Sequence, residues 1–158
     1  MGRESVSRKT VLVVDDYRPV RSLCRVSLEE AGFRVLEAEN GEQALASVQT
    51  ERPDAILLDI MMPGISGWEV TAALLAERST DEIPIIFISA RTEPSDRIRA
   101  YELGAQAYVT KPFDPDVLAE TVATVLGQIE RGDRDAALAE TLASLRKEQV
   151  SSGKPPPF

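Results

Sequence analysis

Asp15, Asp16, Asp59, Ser89 and Lys111 are the residues of this chain whose types could do chemistry together. Each stands directly after a short apolar run. Val11–Val14 ends at Asp15 and Asp16, the run over 54–59 ends at Asp59, Ile83 opens a run that closes at Ser89, and Ala107–Thr110 is followed by Lys111. If those runs are parallel strands of one sheet, the five side chains leave the same edge. Clustered carboxylates repel strongly and call for a cation. Oxygen donors of this kind suit magnesium, which takes one or two carboxylates together with phosphoryl oxygens and water. A lysine and a hydroxyl beside them complete a site for a tetrahedral anion. The types present point to metal-assisted phosphoryl chemistry on a carboxylate.

Each residue alone has a plainer reading. An Asp-Asp pair after a strand commonly makes a turn or a helix cap, and a strand-end Asp such as Asp59 is commonly a turn former. Ser89 alone is a loop hydroxyl and Lys111 a solvated charge. Their arrival in order on one edge is what favours a shared site.

The elements that must position them are legible as alternation. Strands are expected over 11–14, 34–37, 54–59, 83–89 and 107–110, all reading as apolar runs without in-out alternation. Between them lie segments of helical period. The first places Val20, Cys24, Ser27, Leu28 and Ala31 on one face before Gly32. Asn40 caps a helix carrying Ala44, Leu45 and Val48 inward. Met61 to Gly64 is a loop, and Ser66 to Glu69 reads as a capping box before Val70 and Leu74. Pro94 opens a helix that stops near Gly104. Asp114 and Pro115 start one with Leu118, Val122, Val125, Leu126 and Ile129 on a face. Strict alternation predicts a doubly wound α/β domain: a five-stranded parallel sheet with five flanking helices. The expected layout is a polar leader over 1–9, this domain over 10–128, a helical extension over 129–150 and a flexible tail over 151–158. Asp133 can cap the extra C-terminal helix, whose stripe is Leu138, Leu142 and Leu145. That stripe can pack on its own domain, or serve as a dimer contact or linker.

Composition narrows the chemistry. The chain has 158 residues, 43% hydrophobic and 28% charged, as an ordinary folded domain does. With 26 acids against 18 bases its formal charge is −8, which argues against nucleic acid as a ligand. It contains no histidine, so a Ser-His-Asp triad, a Cys-His pair and a phosphohistidine of its own are excluded. The single cysteine, Cys24, rules out an intrachain disulfide and reads as core filler. A reducing cytoplasmic setting fits that count. The leader lacks the apolar region of a signal peptide.

Val-Val-Asp15-Asp16, Leu-Leu-Asp59-Ile-Met-Met-Pro63-Gly64, Ile-Ser89-Ala90 and Tyr108-Val-Thr-Lys111-Pro112-Phe113 together resemble the receiver domain of bacterial response regulators, of the chemotaxis-regulator type. The resemblance spans residues 10 to about 128. It implies a flavodoxin-like strand order 2-1-3-4-5 and cytoplasmic two-component signalling. It implies Asp59 as the phosphoacceptor, and Mg²⁺ bound by Asp16, Asp59 and the backbone carbonyl of Met61, with Asp15 acting largely through water. Lys111 would pair with a phosphoryl oxygen, Ser89 would donate its hydroxyl to another, and Lys111-Pro112 would be cis. Ala90, Arg91 and Pro112 would border the phosphoryl group, with Met61 and Arg91 tuning hydrolysis. Ser89 and Tyr108 would form the switch that alters a face built from helix four, strand five and helix five, where a protein target or a second copy binds. Gly104-Ala-Gln-Ala stands where many relatives carry acids, which would change the charge of that face.

The implied donor is a histidine kinase or phosphotransfer protein, and the chain is not an enzyme beyond its own phosphorylation and dephosphorylation. No membrane partner is expected. A single-domain regulator is favoured over the N-terminal receiver of a larger effector. Two readings of another class are a flavin or nucleotide carrier on the same fold and an aspartyl-phosphate phosphohydrolase. The carrier needs a hydroxyl- and glycine-rich loop where Asp15-Asp16-Tyr17 stands.

Overall fold

Strands whose centres are unbroken apolar runs are stable only between two covering layers. The computed structural model, which describes residues 8–151, shows that arrangement. In chain order the elements are β1 (Thr10–Val14), α1 (Arg18–Glu30), β2 (Arg34–Ala38), α2 (Gly41–Thr50), β3 (Ala55–Asp59), α3 (Gly67–Leu75), β4 (Ile85–Ser89), α4 (Pro94–Leu103), β5 (Ala107–Thr110), α5 (Pro115–Arg131) and α6 (Arg134–Ser151). The five strands form one parallel sheet in the order β2-β1-β3-β4-β5, as the resemblance implies. Most of the leader and tail expectations, over residues 1–7 and 152–158, lie outside the described residues.

Alternate residues of each strand feed opposite cores. Leu12, Val14, Ile56, Leu58 and Phe87 meet Ala44 and Val48 of α2, Val70 and Leu74 of α3 and Ala100 of α4. Val11, Val13, Leu57, Ile86 and Ile88 meet Cys24 and Leu28 of α1 and Leu118, Val122, Val125 and Leu126 of α5. A fully buried aliphatic side chain contributes about 1.5–3 kcal/mol, so these two layers fix the sheet edge on which chemistry depends. Burial pushes the Cys24 thiol up to about 12, with the Asp15 carboxylate adding to the shift. It is therefore a neutral core group.

Helix starts follow their caps. Asn40 accepts a hydrogen bond from the Gln43 amide at 2.8 Å. Ser66 accepts from Glu69 N while Glu69 Oε1 accepts from Ser66 N, closing the box expected there. Asp114 caps α5 through the Asp116 amide. Helices α4 and α5 stop at Gly104 and Gly132, both in the left-handed region.

Three expectations are corrected. Ala31 is the exposed C-cap of α1 and not part of its inward face. β4 begins at Ile85, because Pro84 has no amide hydrogen for the ladder. Ala105 and Gln106 are buried while Gly104 and Ala107 are partly exposed, so only half of the stretch before Tyr108 lies on the surface whose charge it was expected to change. The extra helix α6 packs on its own domain, chiefly along α4 and less on α5. Ile98, Tyr101 and Leu145 form its buried centre, with Leu138, Leu142 and Tyr108 against it.

Candidate functional site

Asp15 follows the last residue of β1 and Asp59 is the last of β3, its neighbour in the sheet. Asp15, Asp16 and Asp59 come together there, with one carboxylate oxygen of each within 4.8 Å of the others. Asp15 is fully buried and Asp59 is 4% exposed, whereas Asp16 faces solvent. Lys111, just past β5, reaches back over the edge. Its Nζ lies 2.7 Å from Asp15 Oδ2 and 3.5 Å from Asp59 Oδ2. The Lys111-Pro112 bond is cis.

Backbone amides hold the acids in place. Asp15 Oδ1 accepts from Tyr17 N at 2.9 Å and Asp59 Oδ1 from Met61 N at 3.2 Å. Burial raises the Asp59 carboxyl to about 6, with the Asp15 charge adding to it and Lys111 and the Met61 amide opposing. Burial alone would lower Lys111, but hydrogen bonding and charge from Asp15 and Asp59 outweigh it and leave the ammonium raised. The site therefore holds excess negative charge that one lysine does not neutralise.

Asp15 Oδ2 is buried and has no well-directed hydrogen bond, although the ammonium lies 2.7 Å away. An incompletely satisfied buried carboxylate oxygen among all-oxygen donors fits a hard divalent cation. Asp16, the exposed member, leaves the cluster open to solvent.

Ser89 ends β4, one residue beyond Ile88, the register partner of Asp59. It is fully buried, and its Oγ accepts from Arg91 N at 3.1 Å. Tyr108 is half-buried and already engages this loop: its hydroxyl donates to the Arg91 carbonyl at 2.9 Å. Its phenol is raised by burial, and a hydrogen bond from the Ser89 side chain opposes the shift. Ala90, Arg91 and Pro112 are exposed beside the edge, and the Arg91 guanidinium lies 3.6 Å from Asp96. Met61 is 60% exposed in the loop after Asp59.

Two positioning residues escape a reading of the sequence. Arg21 is buried on α1, donates from Nη1 to the Asp15 carbonyl at 2.8 Å and from Nε to Glu37 at 3.1 Å. Its spacing from Cys24 and Leu28 placed it on the inward stripe, but an arginine there reads as solvated. Gly67 starts α3 so close to β3 that an added Cβ would lie 2.5 Å from the Asp59 carbonyl oxygen. The capping box marked that turn without showing the contact.

The strand order, the acid cluster and the lysine above it lead to one comparison. The family model of the response regulator receiver domain matches residues 11–123. The chain belongs to the response regulator receiver family. Similar curated proteins include the phosphate regulon transcriptional regulatory protein PhoB of Pseudomonas aeruginosa, 44% identical over 82% of this chain and 57% of that protein. The PhoB protein of Escherichia coli is 40% identical over 77% of this chain and 53% of its own length. The chain thus spans little more than half the length of these relatives. Among solved structures, the Vibrio cholerae chemotaxis protein CheY4 superposes with a TM-score of 0.72 at 32% identity, covering 75% of this chain and 99% of that one. Members of the receiver family are two-component signalling domains and not enzymes in the usual sense, and an acidic magnesium pocket and phosphorylation are typical of them. Among the described residues no helix is long and apolar enough to cross a membrane.

Proposed function

We propose that this chain is a phosphoacceptor switch that takes a phosphoryl group on Asp59 from a histidine kinase or phosphotransfer protein. The observation that carries the reading is the convergence of Asp15, Asp16 and Asp59 within 4.8 Å beneath Lys111. A carboxylate oxygen of Asp59 forms the bond to phosphorus as the phosphorus–nitrogen bond of the donor's phosphohistidine breaks, and the imidazole leaves with the bonding pair. The chain has no histidine, so the donor is external. Lys111 turns from Asp59 to the phosphoryl oxygens, and Ser89 donates its hydroxyl to one of them while still accepting from Arg91 N.

Asp15, Asp16, Asp59 and the Met61 carbonyl would hold magnesium. When bound, the ion neutralises phosphoryl oxygens and so favours both transfer and later hydrolysis. Asp15 is fixed by Tyr17 N, and its remaining oxygen faces Lys111. Ala90 and Pro112 are neighbours of the phosphoryl group, and Arg91 and Met61 set how water reaches it. The setting is cytoplasmic, and the signal passes to a protein target.

A second reading of the output follows from the relatives. The two PhoB proteins are named transcriptional regulatory proteins and are nearly twice as long as the matched region. In that reading the chain is the receiver of a larger effector, and nucleic acid contact, disfavoured by the charge of −8, belongs to the effector part.

Incubation with acetyl phosphate and Mg²⁺ followed by intact-mass measurement tests the phosphoacceptor. One added phosphoryl group is expected, and none in Asp59→Asn. The same stoichiometry in the variant would reject Asp59. A flavin absorbance spectrum, or turnover of small phosphate esters lost in Asp59→Asn, would instead revive the carrier or the hydrolase.

A further inference from the structure

α6 does not lie on an arbitrary flank. Leu145 of α6 is buried with Ile98 and Tyr101 of α4, and Leu138, Leu142 and the ring of Tyr108 on β5 pack against that same cluster. Two polar contacts frame it: Arg146 pairs with Glu102 of α4, and Arg134 donates to the Glu82 carbonyl. Tyr108 is also the residue that touches the loop after β4. Its hydroxyl holds the Arg91 carbonyl at 2.9 Å, and the Arg91 amide in turn donates to Ser89 Oγ at 3.1 Å. A line of contacts therefore runs from α6 through the cluster it shares with α4 to Tyr108, and on through Arg91 to Ser89, the hydroxyl beside the acid cluster.

We propose that α6 is a buttress of the phosphoryl site, coupled to it through Tyr108, and that docked α6 and occupied site favour one another. The sign comes from the contacts. Ser89 Oγ accepts from Arg91 N, and its hydroxyl hydrogen, which reaches the Tyr108 phenol, can pass to an incoming oxygen without moving the loop. The observed loop is thus compatible with an occupied site, and α6 is docked in that same arrangement. Packing on one side of the Tyr108 ring restricts the rotamers that would release the Arg91 carbonyl. Holding the loop before the anion arrives lowers the ordering cost at binding, and linkage makes the effect reciprocal. The same docking occupies the flank of α4, so a protein partner seated there must displace α6 and thereby weaken the site.

This rests on the phosphoacceptor reading, and the experiment separates the two. The full chain is titrated with beryllofluoride and Mg²⁺ by calorimetry, as wild type, Leu142→Glu, Tyr108→Phe and the double variant. Hydrogen exchange of α6 amides in metal-free buffer reports whether Leu142→Glu has undocked the helix. Because Leu142 lies outside both sheet cores, exchange in β1, β3 and β4 is expected to be unchanged. The undocked variant should bind beryllofluoride about fivefold more weakly or worse, the low end of ordinary coupling. In the Tyr108→Phe background the second substitution should have no added effect, since the hydroxyl link is already absent. Beryllofluoride should in turn slow exchange in α6 of the wild type. If Leu142→Glu does not undock α6, Leu145→Glu replaces it under the same criteria. Equal or tighter binding with α6 undocked, or the same loss in the Tyr108→Phe background, overturns the buttress while the phosphoacceptor stands. No binding to the wild type overturns the phosphoacceptor reading itself.

Discussion

The strand-end site and the α6 flank are held by opposite means. At the site, Asp15 and Asp59 are buried, charged and close, and the fold tolerates them because two cores clamp the strands and Lys111, Arg21 and backbone amides offset the charge. At the flank, a short leucine stripe packs on a helix surface, and its ion pair between Arg146 and Glu102 is mostly solvated. The site is a place where stability is given up for chemistry, whereas α6 is held by packing on α4 that can open without disturbing the sheet. Substitutions at the site should therefore move global stability, and substitutions on the flank should move only local opening.

The largest effect is expected from Gly67→Ala. The new Cβ would meet the backbone of Asp59, which cannot move aside as a side chain can. Urea unfolding should show a loss of about 3 kcal/mol, the upper part of the overpacking range. A cost below about 1 kcal/mol would mean α3 shifts freely against β3.

Asp59→Asn should do the reverse. The folded carboxyl sits at about 6 against an ordinary 3.8, so the folded state binds its proton more tightly than the unfolded chain. The stability tied to this group is full below about pH 4 and lost as pH rises through about 6. Removing the charge should stabilise the metal-free protein at pH 7 by on the order of 1–2 kcal/mol, with the gain gone at pH 3.5 to 4. Equal gains at both pH values would assign the effect to something other than ionisation.

Arg21→Met keeps the buried stem but strips the Asp15 carbonyl and Glu37 of a donor. Glu37 retains Arg25 at 2.5 Å, so a loss of about 1–2 kcal/mol is expected. Magnesium affinity, read by calorimetry, should fall as well, which a purely structural arginine would not cause. Arg146→Ala is the smallest change. It should cost no more than about 0.5 kcal/mol, and speed exchange in α6 without touching the sheet. A global loss comparable to that of Arg21→Met would erase the contrast between the two regions.

The sheet was legible because the centres of β1, β3 and β4 are unbroken apolar runs, which admit few arrangements. The acids and Lys111 were legible because each follows such a strand. Arg21 was not, since nothing in its spacing distinguishes a guanidinium turned inward to a carbonyl from one left in water. Gly67 needed the distance between two elements, which spacing along the chain does not contain. For α6 the leucine stripe was plain, but an apolar stripe says only that something covers it. Whether the cover is α4 or another molecule depends on the turn at Gly132, whose left-handed conformation sends the chain back over its own domain.

The buried Cys24 has a practical consequence. A thiol sealed between α1 and the sheet, protonated at any working pH, will not compete for maleimide or spin-label reagents in the folded protein. A probe can be attached to one engineered cysteine on α6 and another on α4 with the native residue left in place, so separations between the two helices become measurable in an otherwise intact molecule.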